Sequence, residues 1–159
     1  MAVGTPATVA LTRLGIAFEV REYHHDPAAP SFGLEAAAAL GVEPDRVFKT
    51  LLAEVDAGLL VVGIVPVSGS LDLKALAAAV GGKRAAMAAP ALAERRTGYV
   101  VGGISPIGQR TSLPTVLDET AQLWDTVFVS GGRRGLDLEL APDALLAATS
   151  AIYADISRD

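Results

Sequence analysis

The sequence predicts an α+β fold, with one domain over residues 1–159 built on a central mixed, largely antiparallel sheet flanked by helices. Three observations carry this. Strand-like segments come in runs, with helices interspersed but not alternating one for one, a pattern that disfavours a doubly wound parallel sheet. Residues 47–55 and 59–65 read as two apolar strands joined by Asp56-Ala-Gly58, a hairpin with a glycine where positive φ is wanted. The helical stretches are short and most are closed by glycine.

Thr5-Pro6 opens the chain's first helix with a cap residue before proline at the first helical position, and Val9, Ala10 and Leu14 give it an apolar stripe up to Gly15. Residues 16–23 alternate apolar and polar as a strand does. Residues 24–31, with His24-His25-Asp26-Pro27, read as a loop, and Ser31 caps a helix over 34–40 that Gly41 ends. After the hairpin, residues 72–80 are helical up to Gly81-Gly82, residues 83–87 fit a short strand, and 90–96 form a helix ending at Gly98. Strands are then expected near 99–101, 114–117, 126–130 and 136–140, followed by a helix over 142–148 and a short tail.

The 13 basic and 18 acidic residues give a formal net charge of −5, which argues against a general nucleic-acid coat while leaving room for a local basic site. With no cysteine the chain has no disulfide framework, thiolate metal site or cysteine nucleophile. Mean hydropathy is +0.41, yet no stretch of about 20 apolar residues runs free of charges or turn residues; the longest candidate, residues 58–67, is broken by Gly63 and Pro66. Residues 1–6 lack the basic and apolar regions of a signal peptide. A soluble, cytoplasmic protein without membrane contact is expected.

Most catalytic signatures are missing. No Walker-type phosphate loop occurs. Gly103-Ile-Ser105-Pro-Ile-Gly108 has the wrong glycine spacing for a nucleophile elbow, and proline follows the serine where a backbone N–H is needed. His24 and His25 are loop neighbours without further ligands at metal-binding spacing, so no metal or cofactor is expected and a turn element is the simpler reading. Lys49 is more informative. Strand alternation puts Val47, Lys49 and Leu51 on one face, and an ammonium on an apolar face must be paired, open to a cleft, or snorkelling at a sheet edge. The glycine-rich segments 102–108 and 130–137 either serve turns or bring backbone close to a ligand. The second of them adds Arg133 and Arg134, which suit a phosphate. Lys83-Arg84 and Arg95-Arg96 are solvated pairs unless the fold groups them into a cationic strip.

Tyr23-His-His-Asp-Pro27, Ser31-Phe-Gly33, Val47-Phe-Lys-Thr-Leu-Leu52, Leu71-Asp-Leu-Lys74, Thr97-Gly-Tyr-Val-Val-Gly-Gly-Ile-Ser-Pro-Ile-Gly108 and Val129-Ser-Gly-Gly-Arg-Arg-Gly-Leu-Asp137 occur in order. On these motifs the chain, from Thr5 nearly to its end, resembles the YbaK family of prolyl-tRNA editing proteins, and within it the stand-alone Cys-tRNA(Pro) deacylases. The resemblance implies an α+β fold with a pocket for the aminoacylated 3′ end of tRNA. It implies that Tyr23, Phe32, Lys49, Thr50, Ser130 and Asp137 line that pocket, with Gly102, Gly103, Ile104 and Gly131 helping to form it. Prolyl-tRNA synthetase is the implied partner protein.

An aminoacyl ester is already an activated carbonyl, so positioning and charge stabilisation supply much of the acceleration. The resemblance implies that the substrate's own thiol is the nucleophile, which suits a chain without cysteine. Lys49 is then expected to face a phosphate or the developing oxyanion, with Asp137 as its counter-charge. Tyr23 and Phe32 would wall the side-chain pocket, while Thr50 and Ser130 would hydrogen-bond the substrate. Two other readings stay open: deacylation of Ala- or another small-amino-acid-tRNA by water, and a non-catalytic module that binds tRNA ends or a synthetase.

Overall fold

In a computed structural model that describes residues 4–29 and 31–159, the helices begin and end where capping chemistry puts them. Residues 1–3 of the leader reading and Pro30 of the expected loop lie outside the described residues. Helix α1 (Pro6–Leu14) is opened by Thr5, whose hydroxyl accepts from the Thr8 amide while the Thr8 hydroxyl accepts from the Thr5 amide, and Gly15 closes it at φ +71°. Strand β1 (Glu19–Glu22) follows. Helix α2 (Phe32–Leu40) starts two residues earlier than expected, because Ser31 accepts from the Leu34 amide and so takes Phe32 and Gly33 into the first turn. A 3-10 turn (Pro44–Arg46) leads into β2 (Phe48–Val55) and β3 (Leu59–Pro66).

The hairpin is present, but positive φ falls on Asp56 (+50°) and Ala57 (+60°) and not on Gly58. The Asp56 carboxylate accepts from the Lys83 and Arg84 amides, which holds this short polar residue in a conformation that aspartate tolerates. Next come β4 (Ser70–Leu71), α3 (Leu73–Ala79, capped by Asp72), β5 (Ala85–Met87) and α4 (Pro90–Thr97). Then follow β6 (Thr115–Asp118), a 3-10 turn (Glu119–Leu123), β7 (Val127–Arg133), β8 (Leu136–Leu140) and α5 (Pro142–Thr149). The expected short tail instead forms β9 (Ile152–Ala154) and β10 (Ser157–Arg158).

One expected strand is absent. Residues 99–101 form no ladder, because their polar groups are used locally. The Tyr99 amide donates to the Thr97 hydroxyl, the Tyr99 hydroxyl donates to the Ile107 carbonyl at 2.7 Å, and the Gly103 amide donates to the Val100 carbonyl.

The central sheet is mixed, in the order β5-β2-β3-β6-β9, with the first two pairings antiparallel and the last two parallel. A second, antiparallel sheet runs β1-β8-β7, and β4 pairs with β10. The central sheet is covered on both faces. Phe48, Leu52, Val62, Ile64 and Leu117 pack towards Val129, Leu138 and Leu140 of the second sheet and towards Leu11 and Leu145. Ala53, Val55, Val61, Val65 and Val116 pack on Leu76, Ala77 and Ile156. Among the described residues no helix is long and apolar enough to cross a membrane.

Two details position the site. Beside this packing, a parallel backbone bridge from Val47 to Phe128 joins the residue before β2 to the second sheet. Strand β5 covers only Ala53–Val55 of β2, and the Ala88 amide continues that edge to the Leu52 carbonyl. Between this point and the bridge, residues 49–51 of β2 have no strand neighbour on that side.

Candidate functional site

A cavity of about 340 Å³ occupies this gap. Its floor is the first half of β2, and one wall comes from Ser130 and Arg133 of β7 and Asp137 of β8. Phe32 and Gly33 of α2, Val101, Gly102 and Ile104 of the glycine-rich loop, and Met87, Ala88 and Pro90 close the rest. The open edge explains why Lys49 and Thr50, neighbours that point to opposite faces of a strand, both reach the same space.

The floor and the β7–β8 wall carry polar groups without protein partners. Asp137 is only 6% exposed, and its carboxylate has no hydrogen bond or ion pair; burial pushes its pKa up to about 7. Lys49 is half-buried, has no carboxylate partner, and is pulled below its ordinary pKa by burial. The Thr50 hydroxyl is buried with no hydrogen-bond partner. The phenol of Tyr23 is pushed up, first by burial and then by the Asp137 charge nearby. Ser130 is committed in part, since its hydroxyl accepts from the Gly132 amide at 3.1 Å. A buried carboxylate and a hydroxyl left unsatisfied are costly, and such groups gather where a ligand completes them.

The opposite wall is satisfied internally. The Arg134 guanidinium lies 4.2 Å from the centroid of the Phe32 ring and donates to the Val101 carbonyl at 2.6 Å, tying α2 to the glycine-rich loop. Gly102, at φ +93°, lies directly beneath that arginine and 2.9 Å, measured from an added Cβ, from the Phe32 ring, so a side chain there would part the two. His25 shares a 2.8 Å hydrogen bond with Glu35 and packs its ring on Phe32, whereas His24 is exposed. The pair is thus a turn element, and the described residues contain no cluster of metal-ligating side chains.

Of the residues expected at the site, Tyr23, Phe32, Lys49, Thr50, Gly102, Ile104, Ser130 and Asp137 line the cavity. Gly103 and Gly131 do not. Gly103 lies so close to the Arg133 backbone that an added Cβ would sit 2.8 Å from its Cα, and Gly131 packs against Leu136 in the same way, so both are consumed by packing behind the wall. The expected Lys49–Asp137 ion pair is also absent: the two groups face one cavity from different sheets without joining. Nor do Arg133 and Arg134 stand free for a phosphate, since Arg133 pairs with Glu22 at 3.0 Å and Arg134 holds Phe32 and Val101. The contributions of Met87, Ala88 and Pro90 went unnoticed in the sequence. They are small or apolar residues of no distinctive pattern, brought in only by where β5 stops.

Comparison with known proteins fits this architecture. The family model described as aminoacyl-tRNA editing domain matches residues 26–148. A protein of Enterococcus faecalis (strain ATCC 700802 / V583), provisionally named Cys-tRNA(Pro)/Cys-tRNA(Cys) deacylase EbsC, is 43% identical over 121 residues, covering 76% of this chain and 74% of that protein. The crystal structure of a provisionally assigned trans-editing enzyme for prolyl tRNA synthetase superposes with a TM-score of 0.84 at 30% identity, over 99% of this chain and 100% of that one. A hypothetical protein of known structure gives 0.85 at 27% identity, over 97% of this chain and 100% of that one. The chain belongs to the YbaK family of aminoacyl-tRNA editing domains.

Proposed function

We propose that the protein is a trans-editing aminoacyl-tRNA deacylase that removes cysteine mischarged onto tRNA(Pro). The observation that carries this reading is a small recess in which Lys49, Thr50 and Asp137 lack protein partners and no nucleophile–base pair is assembled. No histidine lines the recess, His25 is engaged by Glu35, and the Ser130 hydroxyl is held by a backbone amide. A site of this kind binds and polarises an ester without an activated nucleophile of its own, and a cysteinyl ester brings one.

The substrate thiol attacks the ester carbonyl carbon, and negative charge develops on the carbonyl oxygen. Lys49 stabilises that oxygen or the adjoining phosphate, while Thr50 donates a hydrogen bond that no protein group claims. The attack makes the carbon–sulfur bond. Collapse of the tetrahedral adduct restores the carbonyl of a four-membered thiolactone and breaks the ester carbon–oxygen bond, and the departing ribose oxygen takes up the thiol's proton, leaving the tRNA with a free hydroxyl. Water then opens the thiolactone to cysteine. Phe32 and Tyr23 wall the recess and keep it apolar, which strengthens the charge interaction. The formal charge of −5 leaves the body of the tRNA to a partner protein, for which prolyl-tRNA synthetase is the candidate.

Single-turnover deacylation of Cys-, Ser-, Ala- and Pro-charged tRNA(Pro) tests the reading. Cysteine should be released well ahead of serine, whose hydroxyl is nearly isosteric with the thiol but far less nucleophilic. Equal rates for Cys and Ser remove thiol attack while keeping the deacylase. Faster release of Ala favours a water-dependent relative, and binding without release favours a non-catalytic module.

A further inference from the structure

We infer that the Asp137 carboxylate is the receptor for the substrate's α-ammonium group, so that the site acts on esters with a free α-amino group and passes over N-blocked ones such as peptidyl-tRNA. The inference rests on the deacylase reading and deepens it. The residues around Asp137 leave its carboxylate without a hydrogen bond or ion pair, the nearby Tyr23 phenol included. Arg21 lies directly across from it in the β1–β8 register, yet gives its guanidinium to Glu139 at 2.7 and 2.9 Å. Ser130, its partner in β7, accepts from the Gly132 amide and forms no hydrogen bond with the carboxylate. Lys49 shares the cavity but forms no ion pair with it. The carboxylate, 6% exposed, therefore looks onto the cavity with no donor of its own.

An aminoacylated tRNA end has the complementary pattern. Its cation, the α-ammonium, sits two bonds from the reacting carbonyl carbon, and its anions, the phosphates, lie beyond the ribose. Opposite charges kept apart on the two sheets match that order, with Asp137 at the amino-acid end and Lys49 towards the oxyanion and phosphate. Binding an ammonium also returns to the carboxylate the counter-charge that burial denies it. An amide nitrogen or a hydroxyl at the same place carries no charge and cannot.

The test uses the full chain and three esters of tRNA(Pro): cysteinyl, N-acetylcysteinyl, and 2-hydroxy-3-mercaptopropanoyl, the last the size of cysteine but with a hydroxyl for the amine. All three keep the thiol. For each, the single-turnover rate is divided by its uncatalysed rate, which removes the intrinsic activation of the carbonyl by the ammonium. The wild type should accelerate the cysteinyl ester about 10- to 100-fold more than the other two, the range for a hydrogen bond between charged groups. Asp137→Asn should bring all three to the same acceleration. Equal acceleration of the cysteinyl and hydroxy esters by the wild type overturns the inference and leaves the deacylase intact. Loss of all three in a folded Asp137→Asn also overturns it, because the carboxylate would then serve the thiol's proton. Should that variant not fold, the wild-type ratios alone decide. No acceleration of any ester by the wild type removes the deacylase reading and the Asp137 assignment with it.

Discussion

Asp137 and Glu139 stand two residues apart on the same face of β8, and the fold treats them in opposite ways. Glu139 accepts from the Thr126 hydroxyl at 2.5 Å, from Arg21 at 2.7 Å and from Arg46 at 3.0 Å, and Arg46 itself stacks over Phe128. The Thr126 hydrogen bond and the arginines hold its carboxyl below the ordinary range. Asp137 receives none of this and is driven up to about 7 by burial. The geometry of the strand is the same at both positions, so the difference lies in what the neighbouring strands spend on each. The saturated carboxylate binds β1, β7 and the turn before β2 into one unit. The unsaturated one keeps its binding capacity for something from outside.

If that division holds, altering an unpartnered group should cost activity and spare the fold. Lys49→Ala tests it most severely. Single-turnover release of Cys from tRNA(Pro) is expected to fall on the order of 10²–10³-fold, with a denaturation midpoint close to wild type. An unchanged rate would remove Lys49 from the chemistry.

The two carboxylates should also give pH dependences of opposite sign. A carboxyl whose folded pKa lies above its unfolded one stabilises the fold fully only below the unfolded value, near 3.8, and its contribution is lost as pH rises to about 7. Tyr23, Lys49 and Arg133 are the other titratable groups lining the cavity, and none forms an ion pair with it. Asp137→Asn should therefore make the ligand-free protein more stable than wild type at pH 8, on the order of 2–4 kcal/mol, with the gap closing near pH 4. Urea denaturation across that range reads it. Glu139 runs the other way, adding stability above its unfolded value of 4.5 and losing it as pH falls through its lowered folded value. Glu139→Gln is expected to cost roughly 1–3 kcal/mol at pH 7 by removing the negative charge and one of the two accepting oxygens shared by Arg21, Arg46 and Thr126, while the deacylation rate per folded molecule holds.

The smallest effect belongs to the satisfied wall. Arg134→Ala removes one exposed cation–π contact and one hydrogen bond, so stability should drop by less than about 1 kcal/mol. Its mark should appear in KM, because Phe32 and the loop at Gly102 lose the bond that sets their spacing.

The sequence made the helix boundaries legible wherever a cap and a glycine flank a short apolar stretch, as at Thr5 and Gly15 or Asp72 and Gly81. Strand β8 matches expectation residue for residue, because its apolar face and its flanking Gly135 and Ala141-Pro142 leave little choice. The short strands β4, β9 and β10 were not visible, since pieces of two or three residues exist only through their partners. The site was half legible. Ordered motifs brought Lys49, Thr50 and Asp137 into view, and they do share one cavity. That Lys49 and Asp137 form no ion pair was not readable, because they stand on different sheets and only packing decides whether their side chains meet. Nor was it readable that Arg21, across from Asp137, bonds Glu139 over 118 residues of chain. The strand expected at 99–101 failed because Tyr99 anchors its own loop.

The bare edge of β2 at residues 49–51 has a bearing on selectivity against whole polypeptides. A strand margin with idle amides normally recruits another chain, and proteins guard such margins with charge, bulges or cover. Here the guard is cover: Phe32 and Val101–Gly102 on one side and Met87–Pro90 on the other enclose the margin in the cavity. The margin's unpaired groups thus face whatever enters the cavity and not a flat outer edge.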